Sequence, residues 1–177
     1  EIEFASKFTD ATLIGITGSN GKTTTTMMTY HLLKEGGLNV GMAGNIGDSY
    51  AKMVAEKDYG QYVLEISSFQ LDGIVDFKPH IAVITNITPD HLDRYDYQFE
   101  NYIASKFRIA MNQDEKDYLI YDADDEVIGD WLKKNSVQSK LVPFSLKRKV
   151  EEGAWLEENT IHIKLEHKTL EMSTDIL

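Results

Sequence analysis

The chain has 177 residues, of which 42% are hydrophobic and 27% are charged, and this composition is typical of a folded globular domain. Its 29 acidic residues outnumber its 18 basic ones and give a formal net charge of −11, which argues against a protein that follows a nucleic-acid backbone. It contains no cysteine, which excludes disulfides and thiolate chemistry, and no apolar segment of the sequence approaches membrane-spanning length.

Short apolar segments alternate with helical patterns through most of the chain. Strands are predicted at residues 12–17, 38–43, 62–66, 80–85, 118–121 and 141–144. Helices are predicted at residues 22–35, 48–57, 99–111 and 124–134. This alternation indicates βαβ units, so the predicted fold class is α/β, with a mostly parallel sheet flanked by helices.

The C-terminal segment has a different pattern. Ala154–Leu156 and Ile161–Leu165 alternate apolar and polar residues on either side of Glu158–Thr160. Such alternation indicates an antiparallel hairpin with one face exposed to water. We therefore expect an α/β core at residues 1–145 and a small antiparallel β extension at residues 146–177.

The strongest local signal is a glycine-containing loop between the first strand and the first helix. Its residues are Gly18, Ser19, Asn20, Gly21, Lys22, Thr23 and Thr24. Glycines let the backbone N–H groups of a loop face a phosphate, and the N-terminus of the following helix adds positive potential. Lys22 can then reach the β- and γ-phosphates of a nucleotide, while the Thr23 hydroxyl can bind Mg2+. The usual P-loop pattern has a further glycine where this chain has Ile16, so the motif is met in part and a glycine-rich turn is the alternative.

Polar residues also follow the next three predicted strands, at the edge where ligands bind an open parallel sheet. They are Gly44-Asn45-Ile46-Gly47 after strand two, Glu65 and Ser67 after strand three, and Asp90-His91-Leu92-Asp93 after strand four. Each alone is consistent with an ordinary turn or strand end. Together, beside a phosphate loop, they indicate a ligand site, because a carboxylate and an imidazole can bind Mg2+ or Mn2+ held against phosphate.

The helix predicted at residues 99–111 carries a lysine beside its apolar stripe. The stripe consists of Phe99, Ile103, Phe107 and Ala110. Lys106 falls at its edge. By pattern alone, the favoured interpretation is a side chain that lays its stem on the core and keeps its ammonium in water. The alternative is a lysine turned inward for function.

Several of these segments match a known family. Gly15–Thr24 resembles the ATP loop of the Mur ligases, which build the stem peptide of peptidoglycan, and the loop of that family also lacks the early glycine. Leu64–Leu71, Gly44–Gly47 and Asp90–Tyr95 resemble the members that add D-glutamate. The resemblance covers residues 1–125.

The resemblance implies an ATP-dependent, amide-bond-forming ligase of the cytoplasm with the P-loop NTPase type of fold. In such enzymes ATP phosphorylates the carboxylate of UDP-N-acetylmuramoyl-L-alanine, and the amine of D-glutamate then attacks the acyl phosphate. The family has three domains, and residues 1–177 correspond to the central ATP-binding one, without the N-terminal UDP-binding domain and the C-terminal domain. A start at Glu1 rather than at Met also suggests a part of a longer protein.

The resemblance further implies roles for single residues. The implied ATP-binding residues are those of the loop from Gly18 to Thr24. The implied metal ligands are Thr23 and Glu65 for one Mg2+, and His91 and Lys106 for a second. The implied catalytic residues are Lys22, His91 and Lys106, and the implied substrate-binding residues are Asn45, Ser67 and His91. Lys106 is expected to act as a carbamate, because burial and nearby cations would lower its pKa and favour the neutral amine that takes up CO2.

Three alternatives stay open from the sequence. One is a related ligase, such as a folylpolyglutamate or another stem-peptide ligase. Another is a P-loop kinase or switch GTPase, although no segment resembles a guanine-selecting motif. The third is a nucleotide-binding module that does not turn over on its own.

Overall fold

The computed structural model describes residues 1–176, in which nine strands form one sheet. The strands are β1 (Thr12–Thr17), β2 (Val40–Gly44), β3 (Gln61–Glu65), β4 (Ile81–Ile84), β5 (Tyr118–Asp122), β6 (Lys140–Ser145), β7 (Gly153–Glu157), β8 (Thr160–Leu165) and β9 (Lys168–Ser173). Their spatial order is β2-β3-β1-β4-β5-β6-β7-β8-β9. Neighbours are parallel from β2 to β7 and antiparallel from β7 to β9, which confirms the predicted fold class.

The predicted helices are also present. The α-helices are α1 (Ile2–Ala5), α2 (Lys22–Glu35), α3 (Tyr50–Glu56), α4 (Ser68–Asp72), α5 (Phe99–Phe107) and α6 (Glu126–Lys134). Short 3-10 turns lie at Ser6–Phe8, Leu92–Arg94, Arg108–Ala110 and Thr174–Ile176. The helix predicted at 99–111 is therefore divided into α5 and the 3-10 turn that follows it. The short helices α1 and α4 were not predicted, since each is too brief to show a period.

Apolar residues on the two faces of the sheet belong to two separate clusters. Leu13 and Leu64 lie in the larger cluster, which α3, α4, α5 and α6 help to cover. Their neighbours Ile14 and Val63 lie in a smaller cluster on the opposite face, where Tyr30 and Leu33 of α2 pack. This separation follows from the strand period of two, which sends consecutive side chains to opposite faces.

The predicted antiparallel extension is confirmed, and it contains one more strand than the predicted hairpin. β7 continues the parallel sheet beside β6, and β8 pairs with β7 so that His162 lies opposite Trp155. The additional strand, β9, pairs with β8. Residues 168–171 of β9 are exposed, so this strand lacks a buried face that would have marked it. Leu177, which the predicted extension includes, lies outside the described residues.

The parallel strands place their carboxyl ends at one edge of the sheet. The loops that follow β1, β2, β3 and β4 therefore start side by side, and they contain most of the predicted site residues. Within residues 1–176, no helix combines the length and the apolar character that crossing a membrane requires.

Candidate functional site

The glycine loop connects β1 to α2, and two glycines with positive φ angles shape it. Gly18 has a φ of 148°, and a Cβ at this position would overlap the Thr85 hydroxyl. Gly21 has a φ of 79° and occupies the N-cap position of α2, where no side chain caps the helix. The first backbone N–H groups of this 14-residue helix are thus left for a ligand, and the helix dipole favours an anion there.

Two lysine ammonium groups meet at one carbonyl oxygen of this loop. Lys22 Nζ donates to the carbonyl oxygens of Gly18 and Ser19, both at 2.9 Å. Lys106 Nζ donates to the same Gly18 oxygen at 2.8 Å and lies 4.6 Å from the centre of the Tyr102 ring. Two basic side chains therefore lie together at the loop, beside the N-terminus of α2.

Lys106 is only 1% exposed, so the favoured interpretation of a water-facing ammonium is wrong. Burial, with a further contribution from nearby Lys22, lowers the pKa of Lys106 to about 7, while Asp90 opposes the change. The Gly18 carbonyl accepts from the buried amino group. A substantial fraction of Lys106 is therefore a neutral amine near pH 7.

Glu65 is the centre of a second group of predicted residues. It ends β3 and is 1% exposed. Its Oε2 accepts from the Thr23 hydroxyl and its Oε1 accepts from Asn45 Nδ2, each at 2.8 Å. The backbone of Asn45 also donates to the Glu65 carbonyl at 2.7 Å, an approach that leaves no room for a Cβ at Gly44. The structure thus brings three predicted site residues from three different strand ends into contact.

His91 is a largely exposed side chain beside Asp90. Its side chain is 56% exposed, and its Nε2 lies 3.5 Å from Asp90 Oδ2. Its ring centre lies 5.4 Å from that of Phe69. In the part of the chain that the structure describes, it makes no hydrogen bond to Glu65 or Lys106.

Ser67 serves a local structural purpose. Its hydroxyl accepts from the backbone N–H of Gln70, and the Gln70 side chain accepts from the backbone N–H of Ser67. This capping box fixes the start of α4 directly after β3. The hydroxyl also donates to Gln70 Oε1 at 3.1 Å, so its O–H donor is used within the cap.

The sequence-based prediction missed the residues that hold the glycine loop from outside. Thr85 and Asn86 follow β4, and both side chains donate to the carbonyl oxygen of Asn20, at 2.7 and 2.9 Å. Thr88 accepts from Ser19 through its carbonyl and donates to the Ser19 hydroxyl through its N–H. Their position at the carboxyl end of a central strand was the signal that could have found them.

The oxygen atoms of the site suit a cation that is bound by protein and phosphate oxygens together. No three His, Cys, Asp or Glu side chains among residues 1–176 lie close enough together to hold a metal ion by themselves. The carboxylate of Glu65 and the hydroxyl of Thr23 are hard oxygen ligands, which Mg2+ prefers. Since Mg2+ in nucleotide sites takes one or two protein ligands besides phosphate and water, this pair fits such an ion.

Comparison with known proteins places the chain among enzymes of one family. A model of the Mur ligase middle domain matches residues 16–176. A protein of Christiangramia forsetii named UDP-N-acetylmuramoylalanine–D-glutamate ligase is 64% identical over 177 residues, which are 100% of this chain and 40% of that protein. A protein of the same name from Bacteroides fragilis is 52% identical over 163 residues, which are 92% of this chain and 37% of that protein. The chain thus spans well under half the length of these relatives.

Solved structures share the fold at much lower identity. A UDP-N-acetylmuramoyl-L-alanyl-D-glutamate–2,6-diaminopimelate ligase matches 92% of this chain and 39% of its own, with a TM-score of 0.70 and 20% identity. A bifunctional folylpolyglutamate synthase/dihydrofolate synthase, solved with Mn, AMPPNP and L-glutamate bound, matches 96% of this chain and 51% of its own, with a TM-score of 0.64 and 17% identity.

Proposed function

Because the chain belongs to the Mur ligase family, as its middle domain, we propose that it binds ATP at the loop of residues 18–24 and serves an ATP-dependent, amide-bond-forming ligase. One observation carries the proposal. The buried carboxylate of Glu65 is hydrogen-bonded to Thr23, directly beside the uncapped N-terminus of α2. A buried carboxylate beside a helix N-terminus that favours anions is suited to a cation and a phosphate bound together.

The longer protein that contains this domain, called here the full-length enzyme, is proposed to add D-glutamate to UDP-N-acetylmuramoyl-L-alanine. A substrate carboxylate oxygen would attack the γ-phosphorus of ATP, form an acyl phosphate and release ADP. The amine of D-glutamate would then attack the acyl carbon, form the amide, lose a proton and release inorganic phosphate. The D-glutamate assignment rests on relatives that are 64% and 52% identical, whereas the folylpolyglutamate synthase is only 17% identical.

Lys22 is proposed to stabilise the transferring phosphoryl group. Its ammonium is held by two carbonyl oxygens of its own loop, so it lies beside the N-terminus of α2 before any ligand arrives. Exchanging these neutral acceptors for phosphate oxygens would pair the ammonium with ionised acceptors, which strengthens the hydrogen bonds. The other loop residues would contribute backbone N–H groups.

Thr23 and Glu65 are proposed to hold Mg2+ or Mn2+, with Asn45 fixing the carboxylate. When bound, the ion would neutralise phosphate charge. His91 and carbamylated Lys106 are proposed for a second ion. The low pKa of Lys106 supports this, since a neutral amine can take up CO2 and become an oxygen-donor anion. Ser67 and His91 are proposed to support substrate binding at the same edge of the sheet.

A second candidate function is nucleotide binding without turnover by these 177 residues alone. It is favoured by the length comparison, since the relative from Christiangramia forsetii is 40% covered. Under this proposal the isolated chain binds Mg–ATP weakly and forms no amide, whereas the full-length enzyme does both. Robust amide formation by the isolated chain would refute it.

The binding proposal is tested by calorimetry of the full-length enzyme with a non-hydrolysable ATP analogue, with and without Mg2+. Lys22→Ala should weaken binding at least tenfold, because charge-assisted bonds to phosphate are lost. Lys34→Ala, an exposed lysine near the opposite end of the same helix, is the matched control and should bind like the wild type. Equal affinities for all three proteins would contradict the assignment of the loop.

The carbamate is tested by carbon NMR of the full-length enzyme in labelled bicarbonate with Mg2+. The wild type should give a carbamate signal that Lys106→Arg lacks. A signal that persists in the arginine variant, or is absent from the wild type, would refute carbamylation at this position.

A further inference from the structure

Asn86 is hydrogen-bonded to the glycine loop through both its backbone and its side chain. Its carbonyl oxygen accepts from the backbone N–H of Ser19 at 2.9 Å. Its side-chain oxygen accepts from the backbone N–H of Asn20, and its side-chain nitrogen donates to the carbonyl oxygen of Asn20, each at 2.9 Å. The amide side chain thus pairs with Asn20 as a neighbouring strand would.

Two further hydrogen bonds join Asn20 to the same segment. The Asn20 carbonyl also accepts from the Thr85 hydroxyl at 2.7 Å, and Asn20 Nδ2 donates to the Thr88 hydroxyl at 3.3 Å. Every polar backbone group of Asn20 is therefore bonded to the segment after β4. The next residue, Gly21, is the N-cap of α2, so the way in which Asn20 is held bears on the direction of the first N–H groups of that helix.

The segment that carries Asn86 is itself anchored in the core. The neighbouring Ile87 is 1% exposed, and its backbone N–H donates to Asp125 Oδ2 at 2.7 Å. The other oxygen of Asp125 accepts from two backbone N–H groups in the first turn of α6. Asn86 therefore projects from a rigid support toward a glycine-containing loop, which has little intrinsic preference for one conformation.

We propose that Asn86 is a positioning residue for nucleotide binding: its side-chain amide holds the glycine loop in the conformation that turns the N-terminus of α2 toward phosphate. This inference rests on the proposed function. It assigns no contact between Asn86 and the nucleotide. Asn86 acts through Asn20, and its removal should reduce nucleotide affinity by freeing the loop.

Asn112 provides a matched control. Its side-chain nitrogen also donates to backbone carbonyl oxygens of a loop, those of Val75 and Phe77, at 2.8 and 3.0 Å, and it is half-buried like Asn86. Both alanine variants should therefore lower the melting temperature by similar amounts. A merely structural role for Asn86 predicts similar nucleotide affinities for the two variants as well.

The experiment measures the Kd of a non-hydrolysable ATP analogue with Mg2+, and backbone hydrogen exchange without ligand, in the full-length enzyme. Asn86→Ala should raise the Kd about tenfold and speed exchange at the Asn20 amide, whereas Asn112→Ala should stay within about twofold of the wild type. Asn86→Asp keeps an acceptor for the Asn20 N–H but loses the donor to its carbonyl. It should keep the Asn20 amide protected and still weaken binding.

The outcomes separate this inference from the proposed function. If the wild type binds and Lys22→Ala does not, but Asn86→Ala or Asn86→Asp binds within twofold of the wild type, the positioning role is refuted and the ATP site stands. Equal losses in Asn86→Ala and Asn112→Ala would refute it too. If the wild type itself does not bind the analogue, the proposed function fails and this inference fails with it.

Discussion

Replacing Glu65 by glutamine removes the negative charge of the side chain and keeps its shape. In the native site its two oxygens accept from Thr23 and Asn45, and the residue is 1% exposed. A glutamine can accept from Asn45 through its oxygen and donate to the Thr23 hydroxyl through its nitrogen. Because both hydrogen bonds have replacements and a buried charge is removed, the free energy of unfolding should change by less than about 1 kcal/mol.

Binding of Mg–nucleotide should respond much more strongly. Opposite unit charges about 4 Å apart attract by about 4 kcal/mol at an effective dielectric constant of about 20. Water that takes the place of the lost ligand recovers part of this energy, so a net loss of about 2–3 kcal/mol is expected. That loss corresponds to a Kd roughly 30- to 150-fold higher.

The assay compares the full-length enzyme with its Glu65→Gln variant by calorimetry, using the ATP analogue at several Mg2+ concentrations. The Mg2+-dependent part of the affinity should fall, while the affinity measured in a chelator stays nearly unchanged. Glu35→Gln, an exposed carboxylate at the last residue of α2, is the control and should bind like the wild type. Equal Mg2+ dependence in Glu65→Gln and the wild type would refute the metal assignment.

Two further predictions concern stability. Gly18→Ala should lower the free energy of unfolding by about 2–4 kcal/mol in a denaturant titration, because its Cβ would overlap the Thr85 hydroxyl. The control is Gly129→Ala, in open space within α6, which should raise the free energy of unfolding by up to about 1 kcal/mol. Equal effects of the two substitutions would contradict this account. Although burial opposes it, donation by consecutive backbone N–H groups lowers the pKa of Glu3 to about 2. The stability from this carboxylate is present above its ordinary pKa of 4.5 and is lost as pH falls toward 2, so Glu3→Gln should cost about 1–2 kcal/mol at pH 7 and less at each lower pH. Exposed Glu115→Gln is its control, and a gap that widens in acid would refute the assignment.

The sequence predicted the parts of the site that depend on strand order and loop chemistry. Short apolar strands and glycines at strand ends are local features, so the residue pattern alone locates the loop at residues 18–24 and the carboxylate of Glu65. Contact between Glu65, Thr23 and Asn45 followed from the edge rule for parallel sheets. The position of Asn86 just after a central strand marks it as a neighbour of the site, but its hydrogen bonds to Asn20, 66 residues away, leave no local pattern.

Ser67 and Lys106 are two residues whose structural roles the sequence-based interpretation did not predict. A serine followed three residues later by a glutamine is a local capping signal, and Ser67 uses it with Gln70, although the sequence-based interpretation assigned it only to the site. Lys106 falls at the edge of an apolar stripe, and a helical wheel does not distinguish a stem that reaches water from one that turns inward. The carbonyl of Gly18, 88 residues away in sequence, decides between these orientations.

The overall charge of the chain and the charge of its site have opposite signs. A net charge of −11 argues against a protein that follows nucleic acid, yet two ammonium groups converge on the Gly18 carbonyl beside the N-terminus of α2. Their mutual repulsion contributes to the lowered pKa of Lys106. A polyanion bound at the loop would offset that repulsion, whereas a neutral ligand would not. Because surface carboxylates elsewhere are screened over about 10 Å, the local cations and the helix dipole dominate the potential at the loop, and that potential favours an anion such as a phosphate chain.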